Sequence, residues 1–179
     1  MEKTYKGTVI GAVKGDITKT EGMDAWVLGA DTSLYLDSGV CKAIHRVAGS
    51  KLTEAVQKLG GCELGKAKIT PAFDAPCKAI IHAAVPRWNG GEKHEEEQLY
   101  SCYSSICRLA AENGLKTVAM PSLGTGVYAW PMEKAIRTGL SAITGFIDRQ
   151  EEKPDRLLWV LFDDATYRAY EEELNRYFG

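Results

Sequence analysis

The chain has 179 residues, 45% of them hydrophobic and 26% charged, enough to bury a sizeable core without disulfide or metal staples. Its 22 basic and 24 acidic residues leave a formal net charge of -2, and with no Lys/Arg run there is no electrostatic case for nucleic acid as a partner. Cys41, Cys62, Cys77, Cys102 and Cys107 are odd in number and form no CxxC pair, "MEKTYKGTVIGAV" lacks an apolar leader core, and no 18 apolar residues run together, so a reducing cytoplasm is expected and membrane spanning is not.

In chain order, apolar β-rich runs predict strands over 8–13 ("TVIGAV"), 24–30 ("DAWVLGA"), 67–72 ("AKITPA"), 79–85 ("AIIHAAV"), 116–122 ("KTVAMPS") and 156–162 ("RLLWVLF"). Helical periodicity fills the intervals. It runs over 39–58 with a break near Gly49, over 95–113 where Leu99, Cys102, Tyr103, Ile106 and Ala110 share a face, over 131–147, and over 164–177. Pro131 suits the first helical position of the third of these. "RWNGGEKHEEE" (87–97) and "RQEEKPD" (149–155) read as surface connections, too short to separate domains. The alternation predicts a single domain over 1–179: a three-layer α/β/α sandwich around a mixed, largely parallel six-stranded sheet.

In such sheets ligands bind beyond the carboxyl ends of the strands, which directs attention to three connections. "SLGTGVY" (122–128) links a strand to a helix and carries Gly124 and Gly126, a place where successive N–H groups form an anion-holding concavity. It is neither a P-loop nor a dinucleotide fingerprint, and plain turn chemistry explains it as readily as ligand binding. "DSGVCKAIHRVAG" (37–49) feeds a helix through Ser38 and Gly39 and offers free N–H groups at that helix start. Two anion-competent loops at one sheet edge suggest a two-phosphate ligand. Asp16 of "KGDIT" closes the first strand, either as a turn or N-cap residue or as a carboxylate that accepts the exocyclic amine of a base.

Together "GDIT", "DAWVLGADTSL", "SGVCKAIHRVAG", "GKAKIT", "AIIHAAVP" and "PSLGTGVYAWP" resemble, in order and spacing, a macrodomain of the ADP-ribose-binding type, from about Val9 to Pro131. The resemblance implies that Asp16 binds the adenine amine with Ile17 beside it, and that Ala30, Asp31, Ser38, Gly39 and Val40 lie along the diphosphate and its ribose. It implies too that Ser122, Leu123, Gly124, Thr125, Gly126, Val127 and Tyr128 wrap the second phosphate and distal ribose. Tyr128 and Phe162 are candidates to flank the ligand, one at the distal ribose and one stacking on adenine, or side chains that only pack. The expected partner is ADP-ribose or an ADP-ribosylated protein, with no cofactor, no metal, no nucleic acid and no membrane.

The chain departs from the family pattern at two places. Where the family commonly reads Asn-Ala-Ala-Asn, this sequence has Leu28, Gly29, Ala30 and Asp31; where MacroD-type hydrolases carry Gly-Gly-Val-Asp-Gly, it has Ser38, Gly39, Val40, Cys41 and Lys42. Both asparagines and the loop carboxylate are missing. Asp31 only accepts hydrogen bonds when ionised, and its charge opposes a nearby diphosphate unless Lys42 or loop amides offset it. Cys41, at a helix start beside Lys42, is either a lowered-pKa thiol or an incidental small residue. His82 reads as a strand histidine with a satisfied hydrogen bond, and His45 and His94 as solvated. Binding is therefore the expected function, and hydrolysis of an ADP-ribosyl ester, with Asp31 as the candidate base, is the alternative.

Overall fold

The computed structural model describes residues 1–36 and 38–179. Its sheet has seven strands, one more than the six expected, in the order β1-β2-β7-β6-β3-β5-β4. The strands are β1 (Glu2–Tyr5), β2 (Thr8–Lys14), β3 (Ala25–Ala30), β4 (Ala67–Pro71), β5 (Ala79–Ala84), β6 (Thr117–Met120) and β7 (Arg156–Leu161). The additional strand is β1. It pairs antiparallel with β2 through a two-residue turn at Lys6 and Gly7, both at positive φ (47° and 90°), the geometry a tight hairpin demands. Its Glu-Lys-Thr-Tyr sequence alternates exposed and half-buried positions, as an edge strand does, and so carries no apolar run.

The central strands β2, β7, β6, β3 and β5 are mutually parallel, and β4 closes the far edge antiparallel to β5. Parallel strands are covered on both faces, which is why β5 is buried throughout. One face carries α1 (Gly39–Ala48) and α2 (Ser50–Leu59), whose Ile44, Leu52 and Val56 pack with Trp26, Leu28 and Ile80. The other carries α3 (Glu95–Glu112), α4 (Met132–Arg149) and α5 (Asp164–Phe178), packed over Val27, Ile81, Val118 and Trp159. The break expected near Gly49 separates α1 from α2, with Gly49 at φ 91°. Pro131 is the N-cap of α4 rather than its first helical residue. Among the described residues no helix is long and apolar enough to cross a membrane.

Candidate functional site

β3 and β6 are neighbours, yet the chain leaves β3 for α1 on one face and leaves β6 for α4 on the other. The two connections diverge and leave a crevice at the carboxyl edge, the switch point where open α/β sheets take ligands. A cleft of about 120 Å³ occupies it. One wall is Leu36, Ser38 and Val40, the other is Pro121 to Gly124 and Gly126 to Tyr128, and Gly29 and Val85 form the floor.

The two glycines of the second wall differ in purpose. Gly124 sits at φ 87°, and a Cβ there would lie 2.7 Å from Cδ1 of Trp130, so the loop needs glycine to fold against that indole. Gly126 has no positive φ, and a Cβ would meet nothing within 4 Å. Its bareness serves no intramolecular contact. Gly39, at the start of α1 on the opposite wall, is equally open. Ser38 caps that helix by accepting the Cys41 amide at 3.2 Å.

Along the same edge β2 ends beside β7, joined by Gly15 N–H donating to the Leu161 carbonyl at 2.8 Å. Asp16 and Phe162 therefore leave adjacent strands. Asp16 caps the short 3-10 turn Ile17–Lys19, its Oδ1 accepting from the Thr18 amide (2.9 Å) and hydroxyl (2.7 Å). The Thr18 hydroxyl bond, with the amide and Lys19 assisting, holds its carboxyl below the usual range against partial burial. Asp16 thus fills the cap role and stays ionised, and Oδ2 takes no part in these bonds. Phe162 is 79% exposed, an aromatic ring presented to solvent next to that carboxylate.

Other expected site residues are placed differently. Ile17 and Ala30 are buried, so only their backbones face the edge. Leu123 is buried too and packs on Gly29, where a Cβ would stand 2.9 Å from Leu123 Cδ2. Asp31 follows β3 but does not line the cleft; its Oδ1 takes both the amide (2.8 Å) and the hydroxyl of Ser33. Cys41 is fully buried in the α1 layer, which favours the incidental small residue over a reactive thiol. Leu28, standing where the family has its first Asn, has joined the same core.

Of the histidines, His45 departs most from its expected setting. His82 Nε2 is 2.9 Å from Thr70 Oγ1, but Nδ1 is buried with no partner, and burial, reinforced by His45, pushes the pKa down to about 4. His45 is not solvated: Nδ1 meets Thr53 Oγ1 at 3.0 Å, Nε2 is buried unpartnered, and burial lowers its pKa. His94 is exposed beside Glu97.

The connection at 87–97, expected to be surface only, forms the back of the second wall. Glu95, buried at the start of α3, accepts the amides of Asn89 and Gly91, both at 2.8 Å. Trp88 stacks on Trp130 with centroids 4.8 Å apart, and Trp130 Nε1 donates to the Pro86 carbonyl at 2.9 Å. The Arg87 guanidinium lies 5.3 Å over the Tyr128 ring. Burial and then the Asp31 charge raise the Tyr128 pKa, and Arg87 opposes them. Arg87 is thus a cation over a cleft-lining ring, a contact that sequence reasoning missed. Proline followed by an aromatic, "PRW", was the available signal.

Fold and site define a class: an α/β/α sandwich with a glycine-walled cleft at the switch point of a mixed sheet. The macro domain family profile matches residues 27–139. An O-acetyl-ADP-ribose deacetylase of Enterobacter sp. is 42% identical over 169 residues, 92% of this chain and 93% of that protein. The ADP-ribose glycohydrolase MACROD2 of Xenopus laevis is 39% identical over 166 residues, 92% of this chain but 40% of that longer protein. A mutant Oceanobacillus iheyensis macrodomain solved with ADPR superposes with a TM-score of 0.90 at 32% identity, covering 99% of this chain and 97% of that one. The chain belongs to the macro domain family.

Proposed function

We propose that this chain, acting over 1–179 as one macrodomain, binds ADP-ribose, free or linked to protein. The observation that carries the reading is a pair of open glycines in the two connections that flank one crevice: Gly126 lines it, and Gly39 lies between the lining residues Ser38 and Val40. Bare backbone there has no internal use, and it suits a diphosphate seated on N–H groups. The ionised Asp16 and exposed Phe162, two strands away on the same edge, suit an adenine: one accepts the exocyclic amine and the other stacks. The ADPR complex of the Oceanobacillus iheyensis protein supports the choice of ligand.

Hydrolysis of an ADP-ribosyl ester is the second reading, favoured by the names of the Enterobacter and Xenopus relatives. Against it stand the engagement of Asp31 with Ser33 and the burial of Cys41, which leave neither aimed into the cleft. The test is ADP-ribose titration and O-acetyl-ADP-ribose turnover by the parent and Asp31→Asn, a substitution that keeps an acceptor for Ser33. A binding module gives negligible turnover in both and tighter binding in the variant, because a repulsive charge is gone. Ready turnover by the parent, lost in Asp31→Asn, contradicts this and makes Asp31 the base.

A further inference from the structure

A line of hydrogen-bonding side chains runs from the core to the cleft. It starts at Trp159 on β7, whose indole Nε1 donates to the Tyr103 hydroxyl at 3.1 Å. Tyr103, Trp159 and Tyr170 form one buried aromatic cluster, with centroids 5.9 and 5.0 Å apart along the series. The Ser122 and Tyr103 hydroxyls both lie against that of Tyr170, each stabilising its oxygen. Tyr170 is fully buried on α5, and its hydroxyl is 2.7 Å from Ser122 Oγ, which is in turn 2.7 Å from Thr125 Oγ1.

At its cleft end the line has three hydroxyls, and either partner of each hydrogen bond there can be the donor. An indole N–H donates and never accepts, and each hydroxyl has one proton. Burial keeps both phenols protonated. Trp159 donates to Tyr103, and the three hydroxyls of Tyr170, Ser122 and Thr125 share two hydrogen bonds, so one of their protons is left for a further acceptor. Ser122 lines the cleft, and Thr125 stands between Gly124 and Gly126, which line it too. Hydroxyls linked in series polarise one another.

We propose that Tyr170 is a positioning residue for the ligand: it holds Ser122, and through it Thr125, so that a hydroxyl of this pair donates to a phosphate oxygen seated against Gly124 and Gly126. This rests on the cleft being the ADP-ribose site. Tyr170 touches no ligand itself; it acts through Ser122 on a hydroxyl two groups away.

Calorimetric titration of the full chain with ADP-ribose and with AMP separates this role from a structural one. AMP retains the adenine and one phosphate but lacks the second phosphate and distal ribose. Tyr170→Phe and Thr125→Val should each weaken ADP-ribose about tenfold, as loss of one hydrogen bond to a charged group does, and the double variant should bind no worse than the weaker single. AMP binding should stay within about twofold of the parent in all three, since distant contacts are independent. Equal loss for AMP and ADP-ribose, additive losses in the double variant, or parental affinity in Tyr170→Phe would each overturn the proposal. If Tyr170→Phe does not fold, Ser122→Ala cuts the same line at a half-buried loop position and must show the same discrimination between ligands. A parent that binds no ADP-ribose would instead sink the reading of the cleft.

Discussion

The two walls of the cleft are built by different means. The wall after β6 is held from a distance: Ser122 by Tyr170, the Tyr128 carbonyl by the Trp88 amide at 2.9 Å, and the Trp130 indole by Pro86. The wall after β3 is held mostly by itself. Asp31 binds Ser33, the Leu34 amide returns to the Asp31 carbonyl at 2.9 Å, and Ser38 caps its own helix. One wall takes its shape from the fold, the other from its own few residues. Both end on an open glycine, so the binding surface is similar although the support is not.

Gly126→Val tests the first wall most severely. With open space around it and no positive φ, the variant should fold with near-parental stability. ADP-ribose titration should nevertheless show no binding, because the side chain fills the approach to the backbone. Retained affinity would reduce the loop to a turn. Gly124→Val is the contrast: there the clash with Trp130 predicts lost stability as well.

Acid distinguishes the layers beneath the walls. His45 and His82 both lie in the α1 and α2 layer, under the wall after β3. The His82 pKa falls from 6.5 unfolded to about 4 folded, so between these values the unfolded chain binds more protons. Stability is then full above pH 6.5 and declines towards pH 4, by about 3 kcal/mol at most for this group. His45 acts with the same sign. Denaturant unfolding across this window should show the decline, and His82→Asn should flatten it. A pH-independent parent would contradict the buried neutral histidine.

Asp16→Ala probes a third, locally built device. Loss of a charge-assisted bond to the adenine amine should cost roughly 1.5–3 kcal/mol, tenfold or more in affinity. An inosine-type analogue, with oxygen in place of the amine, should bind the parent less well than ADP-ribose and lose little further in Asp16→Ala.

What the sequence disclosed follows the same division. The parallel strands were legible because burial on both faces demands unbroken apolar runs such as "AIIHAAV". Asp16, Ser38 and the glycines of 122–128 were legible because caps and bare turns are local chemistry. Strand β1 was not, since a polar edge strand has no apolar run and Lys-Gly hides a hairpin turn more usually written Asn-Gly. Tyr170 and Arg87 could not be placed by pattern, because they reach the cleft by tertiary contact. Cys41 stayed ambiguous for the converse reason: its neighbours in sequence allowed a reactive thiol, while helix phase turns it into the core.

Backbone amide shift mapping during titration with ADP-ribose tests the central claim most directly, because it reads the N–H groups themselves. The largest perturbations should fall on Gly39, Val40, Gly124 and Gly126, with a second group at Asp16, Ile17 and Phe162. Shifts confined to another surface, such as the groove between α3 and α4 lined by Ser101, Ser104 and Gln150, or no shifts at all, would contradict it.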